Sequence, residues 1–78
     1  MTLQQKFSKT LRDAREQLGL TFEQVAEAVS IPAREYQLIE SGHILPDTVS
    51  AMRLLLFLEI DIKQFDEALG ISKPNRLQ

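Results

Sequence analysis

The sequence predicts an all-α fold, a compact bundle of five short helices. One observation is a stripe of apolar residues at steps of four, four, three and four positions, which is the period of an α-helix. The residues of this stripe are Leu3, Phe7, Leu11, Ala14 and Leu18. The second observation is that only three glycines and three prolines occur in 78 residues, which favours an ordered helical domain. The stripe predicts a first helix over residues 3–18.

Two short helices with almost no linker are predicted next. Thr21 caps the first of them, and Gln24, three residues later, completes a capping box. The second begins at Pro32, because proline is tolerated in the first turn of a helix, and Gly42 ends it in a left-handed turn. This arrangement predicts a helix-turn-helix motif over about residues 21–42.

A fourth helix is predicted from a cap at Asp47 to about Glu59. Its apolar residues are too crowded for one helix face, so some of them meet a second chain or lie exposed. We therefore expect a homodimer interface that consists of Met52, Leu56, Phe65 and Leu69.

A short fifth helix is predicted after Asp61, which forms a capping box with Gln64. Gly70 ends this helix. The residues expected to point inward are Phe65, Ala68 and Leu69. The polar remainder predicts a flexible tail over residues 71–78, so that the helix-turn-helix domain spans residues 1–70.

The composition argues against catalysis, a metal, a cofactor and a membrane. There is no cysteine, and His43 is the only histidine, so the chain has no plausible set of metal ligands. No serine has a neighbouring base in a recognisable catalytic arrangement, and no glycine-rich phosphate loop occurs. The longest apolar run, residues 54–58, is too short to span a bilayer, and the start of the chain lacks the apolar region of a signal peptide. We expect a cytoplasmic protein that is not an enzyme.

The segments LRDAREQLGLTFEQVAEA and IESG, at their separation in this chain, resemble the lambda-repressor/Cro-like helix-turn-helix family, often called the XRE family. The resemblance covers residues 7–69. It implies five helices, with the third, over residues 32–41, laid in the major groove of double-stranded operator DNA. It also implies homodimers on two-fold-related half-sites. The implied function is that of a small transcriptional repressor that recognises a DNA sequence.

The resemblance also implies which side chains meet DNA. The positions that face the bases are Ala33, Arg34, Gln37 and Leu38, and those that face the DNA backbone are Phe22, Ser41, His43 and Ile44. Arginine can bind guanine and glutamine can bind adenine through paired hydrogen bonds. From the residues alone, a local ion pair for Arg34 and a solvated side chain for Gln37 remain open.

Two further positions have structural interpretations. Arg15 and Glu40 match a pair that forms a salt bridge between the first and third helices of the family. Tyr36 stands where a smaller aliphatic residue is usual, and we expect its ring to be buried with the hydroxyl reaching the surface.

The charge of the motif leaves a second function open. Residues 19–46 contain one basic residue, Arg34, and four glutamates, a net charge of −3 in a segment that should approach a polyanion. The other basic residues lie outside the motif. Four apolar side chains beside the presumed DNA face could form a protein-binding surface. They are Phe22, Leu38, Ile44 and Leu45. The alternative function is a helix-turn-helix domain that binds a protein partner and binds DNA weakly or not at all.

Overall fold

The computed structural model describes residues 2–65, which form four α-helices and a short 3₁₀ turn without any strand. The elements are α1 (Leu3–Gln17), α2 (Phe22–Ala28), α3 (Ala33–Glu40), α4 (Thr48–Phe57) and the 3₁₀ turn (Ile62–Phe65). The predicted all-α class is confirmed, but five helices are not observed in this part of the chain. Ala68, Leu69, Gly70 and the predicted tail lie outside the described residues.

Side-chain caps lie at the start of α1, α2 and α4. The predicted capping box of α2 is confirmed, since the Gln24 amide donates to the Thr21 hydroxyl oxygen at 3.1 Å and the Thr21 amide donates back to the Gln24 side chain at 2.8 Å. The predicted cap of α4 is also confirmed, with the Ser50 amide donating to Asp47 at 2.8 Å. This backbone hydrogen bond lowers the pKa of the Asp47 carboxyl.

The capping box predicted for a fifth helix is wrong. The Asp61 carboxylate accepts a hydrogen bond from the Lys63 amide at 2.9 Å, and the Gln64 side chain donates to the Asp61 carbonyl oxygen at 3.0 Å. This is the hydrogen bonding of a tight turn, in which the residue two positions on reaches the capping oxygen.

Both bounds of α3 and the end of α4 differ from those predicted, and α1 ends at Gln17, one residue early. Pro32 precedes α3 as its cap residue instead of opening the helix, and Ser41 follows its last turn. The fourth helix ends at Phe57, two residues early, because Glu59 adopts a left-handed backbone conformation with φ of 57°. The Ile60 amide then donates to the Leu55 carbonyl oxygen at 2.9 Å, which closes the helix end.

The apolar stripes of all four helices meet in one core. Its fully buried members include Leu11, Val25, Tyr36, Ile39 and Leu54. The ring of Tyr36 lies in the centre as expected, but the prediction that its hydroxyl reaches the surface is wrong. That oxygen is buried and lies near the Arg15–Glu40 pair without a hydrogen bond to any protein group of the described chain. Burial therefore raises the pKa of Tyr36 far above the usual tyrosine value.

Phe65 lies in this core and not on a surface that a second chain could reach. Its ring packs against Phe7 with the centroids 5.6 Å apart, and the Lys6 ammonium lies 5.7 Å above it. The expected inward orientation of Phe65 is observed, whereas its assignment to a homodimer interface does not fit a residue that is only 2% exposed. The cause is the 3₁₀ turn, which directs the ring onto α1.

Candidate nucleic-acid interface

The turn between α2 and α3 sets the angle of the motif. Ser30 adopts a left-handed conformation with φ of 60°, which reverses the chain direction directly after α2. The Ile31 amide donates to the Ala26 carbonyl oxygen at 2.9 Å, and the Ile31 side chain is buried. A short turn that is hydrogen-bonded and anchored in the core holds α3 in a defined orientation relative to α2.

The third helix has one face in the core and one in solvent. Tyr36 and Ile39 are buried, while Arg34, Gln37 and Leu38 are exposed. These three exposed residues occupy positions i, i+3 and i+4, so they are neighbours on one helix face. Of the predicted base-facing residues, Ala33 is the exception, since its methyl group is half-buried and packs against the core.

The exposed face of α3 borders a shallow groove of about 450 Å³. We call it the recognition groove, and it is lined by Arg12, Phe22, Arg34, Gln37, Leu38, Glu40 and Ser41. It thus brings together five of the eight predicted DNA-contacting residues, with Ala33, His43 and Ile44 outside its lining. His43 lies just beyond α3, where its Nδ1 atom is 2.7 Å from the Ser41 hydroxyl oxygen.

An ion pair joins α1 to α3 at the edge of the recognition groove. The Arg15 guanidinium donates to both carboxylate oxygens of Glu40, at 2.8 Å through Nε and 2.7 Å through Nη2. Its Nη1 atom donates to the Leu20 carbonyl oxygen at 2.9 Å. The hydrogen bond with Glu40 raises the pKa of Arg15. This is the salt bridge that the resemblance implies between the first and third helices.

The far end of α3 is also held by α1. The Gln4 side chain donates to the Gly42 carbonyl oxygen at 2.5 Å. Gly42 has a left-handed φ of 84°, and a Cβ atom there would lie 3.4 Å from the Ser8 hydroxyl oxygen. The backbone conformation therefore favours glycine at this position, while a Cβ atom would only make an ordinary contact with α1.

The charge in the recognition groove is more favourable to an anion than the sequence of the motif indicates. Two guanidinium groups, those of Arg12 and Arg34, line it together with one carboxylate, that of Glu40. Because Glu40 is already paired with Arg15, its charge is compensated. The sequence of the motif does not indicate Arg12, since this residue lies in α1 and reaches the groove only through the packing of α1 on α3.

The apolar residues proposed as a protein-binding surface are divided among three places. Phe22 and Leu38 line the recognition groove. Leu45 lines a second, mainly apolar groove of about 380 Å³ beside α1, α4 and the 3₁₀ turn. Ile44 is exposed next to α3, with its amide 3.4 Å from the Leu38 carbonyl oxygen. Their positions do not form a single groove.

Two of the residues assigned to a homodimer interface are exposed on α4. Met52 is 57% exposed and Leu56 is 77% exposed, which are large values for apolar side chains. Leu69 lies outside the described residues. No helix within residues 2–65 has the length and apolar character needed to cross a membrane.

Comparison with known proteins identifies the family. A family profile described as Helix-turn-helix domain matches residues 6–77, which is most of the chain. No curated protein and no solved structure matches the chain. Helix-turn-helix domains are in general DNA-binding regulators, and their second motif helix enters the major groove. The chain therefore belongs to the helix-turn-helix domain family, in agreement with its resemblance to lambda-repressor/Cro-like domains.

Proposed function

We propose that this protein is a sequence-specific transcriptional regulator of the XRE type, a small cytoplasmic repressor that places α3 in the major groove of DNA. The observation that supports this most strongly is the exposed row of Arg34, Gln37 and Leu38 on a helix whose other face is anchored in the core. The mechanism needs neither a cofactor nor catalysis, because occupation of an operator is enough to hinder a polymerase.

The chemistry of the row suits the edges of base pairs. The Arg34 guanidinium can donate two hydrogen bonds to O6 and N7 of guanine, and the Gln37 amide can pair with N6 and N7 of adenine. Leu38 is 40% exposed and can contact the methyl group of thymine. The three side chains therefore read up to three neighbouring base pairs without any further polar group.

Affinity requires cations near the phosphates as well as base contacts. Arg12 and Arg34 both border the recognition groove, and the only acid in its lining is paired with Arg15. The lining of the recognition groove therefore has a net positive charge, although the motif as a segment of sequence is acidic.

We further propose that the repressor is a homodimer that uses the exposed apolar side chains of Met52 and Leu56 on α4. A two-fold dimer places two copies of α3 on half-sites about one helical turn apart, which increases both affinity and specificity.

The second candidate function, binding of a protein partner, is favoured by a different observation. Leu38, Ile44 and Leu45 are exposed apolar side chains near the C-terminal end of α3, at 40%, 37% and 49%. Exposed apolar side chains are typical of protein-binding surfaces, and Leu38 and Leu45 present theirs in two different grooves. The glutamates of α2 and Glu35 of α3 are also exposed, which would weaken contact with a polyanion.

Selection of bound duplexes from a randomised DNA pool distinguishes the two functions. A DNA-binding regulator enriches a short motif, and Arg34→Ala removes the preference at one base position with a loss of roughly 1–3 kcal/mol. The matched control is Arg53→Ala on α4, which removes the same charge outside the recognition groove. Recovery of no motif by the folded wild-type protein, together with loss of a co-purifying protein in Leu38→Glu, would favour the second function.

A further inference from the structure

We propose that Arg12, in α1, binds a phosphate of the DNA backbone next to the major groove that α3 occupies. This inference rests on the proposed function and adds to it a contact from outside the helix-turn-helix motif. Base contacts alone do not hold a protein on DNA, because most of the affinity and the register come from cations on phosphates. The motif itself has a single cation, Arg34, so any further cation that meets a phosphate has to come from another element.

The packing of α1 places Arg12 beside α3. Gln4 and Arg15 hydrogen-bond to Gly42 and Glu40, and Ser8 lies against Gly42. Together with Arg12, these residues of α1 follow one another at steps of four, four and three positions. Their order along the helix is Gln4, Ser8, Arg12 and Arg15. These steps are the spacing of a single helix face. Arg12 therefore projects from the face of α1 that meets α3, and it lines the recognition groove.

Among residues 2–65, the guanidinium of Arg12 makes no ion pair and no hydrogen bond. Two ion pairs occur among residues 2–65, Lys9 with Asp13 and Arg15 with Glu40, and Arg12 takes part in neither. Its side chain is exposed, so it is available to a ligand from outside. Glu40 is the one carboxylate in the lining of the recognition groove, and Arg15 occupies both of its oxygens.

A phosphate diester suits this position better than other anions. Guanidinium groups bind phosphate oxygens through paired, charge-assisted hydrogen bonds. Phosphates line both edges of the major groove, so a cation beside the exposed face of α3 meets one when that helix enters the groove. An acidic peptide offers the same charge, but it does not explain why the cation adjoins a row of residues suited to base edges. We therefore assign a DNA phosphate.

The test is a salt titration of DNA binding by fluorescence anisotropy, with the selected duplex and a random duplex. Arg12→Ala should weaken binding to both duplexes to a similar degree and reduce the slope of log K against log salt concentration by about 0.9. Arg12→Lys should restore most of the slope, because the charge is kept. Arg53→Ala is the control for net charge, and circular dichroism verifies that each variant is folded.

Three results would overturn the assignment. In the first, Arg12→Ala and Arg53→Ala have the same small effect on the slope. In the second, Arg12→Ala changes the preferred base, which makes Arg12 a base contact. In the third, a glutamate-rich peptide binds the wild-type protein through Arg12 while duplex binding does not depend on it. If the wild-type protein shows no salt-dependent binding to any duplex, the proposed function itself fails and the Arg12 assignment fails with it. The four results are distinguishable.

Discussion

Arg15 holds Glu40 through two parallel hydrogen bonds of 2.8 and 2.7 Å, and so joins α1 to α3 across 25 positions of sequence. Both side chains are largely buried, with 16% and 12% of their surface exposed. Removing either partner of a buried ion pair strongly destabilises a protein, because the remaining charge is left without compensation. The orientation of the proposed recognition helix therefore depends on a residue outside the motif.

Breaking this pair should destabilise the protein. We expect Arg15→Ala or Glu40→Ala to lower the free energy of unfolding by about 3 kcal/mol, toward the lower end for a buried pair because some exposure remains. Urea denaturation followed by circular dichroism measures the change. Lys9→Ala is the control, since its pair with Asp13 is about half exposed and its loss should leave the denaturation midpoint almost unchanged.

The double variant Arg15→Met with Glu40→Leu separates a charge effect from a packing effect. If the loss in the single variants comes from an uncompensated charge, the apolar pair should recover most of the stability. A double variant that is no more stable than either single variant would contradict this explanation.

The buried hydroxyl of Tyr36 should contribute little to stability. Because it has no protein partner within the described residues, Tyr36→Phe removes a desolvated polar group without breaking a hydrogen bond. We expect the free energy of unfolding to remain within about 1 kcal/mol of the wild type or to rise. Tyr36→Ala, which leaves a cavity in the core, should lose about 3–5 kcal/mol. A large loss in Tyr36→Phe would show that the hydroxyl is hydrogen-bonded in solution.

The same residue predicts the behaviour of the protein at high pH. The pKa of Tyr36 is raised in the folded state, so above about pH 10 the unfolded chain loses this proton while the folded protein retains it. The folded state then binds more protons than the unfolded state, and stability must fall as the pH rises. Denaturation midpoints measured between neutral pH and pH 11 should decline for the wild type and decline less for Tyr36→Phe. If the midpoints of the two proteins decline equally with pH, the raised pKa of Tyr36 is refuted.

The proposed homodimer makes a separate prediction. Leu56→Glu places a charge at the most exposed apolar residue of α4, so it should convert a dimer to a monomer and leave the helical content unchanged. Light scattering coupled to size-exclusion chromatography, at micromolar concentration, measures the molar masses of the wild type and of the variant. A wild-type protein that is monomeric at this concentration would contradict the dimer.

Local signals in the sequence predicted most of the fold. The capping residues Thr21 and Asp47, and the turn at Gly42, act within a few positions, so they can be recognised without knowledge of the tertiary structure. The same reasoning was wrong for Asp61, because the spacing of a capping box also fits a tight turn. A pattern of caps therefore predicts where an element begins better than it predicts the type of element.

The surroundings of the candidate site were less predictable, because they depend on packing between distant segments. Arg12 and Arg34 are 22 positions apart in the sequence but border one groove. The burial of the Tyr36 hydroxyl likewise depends on how closely α1 packs on α3. Neither fact has a local signal, whereas the exposed row on α3 follows directly from helical periodicity.

The most direct test of the account is a cross-linking experiment on α3. The chain has no cysteine, so Gln37→Cys introduces a unique thiol on the exposed face of α3, and Arg53→Cys introduces one on α4 as a control. Each variant is mixed with the selected duplex carrying a thiol tethered to a base in the major groove. We expect a disulfide cross-link with Gln37→Cys and none with Arg53→Cys. Cross-linking through Arg53→Cys, or none through Gln37→Cys while the duplex stays bound, would contradict it.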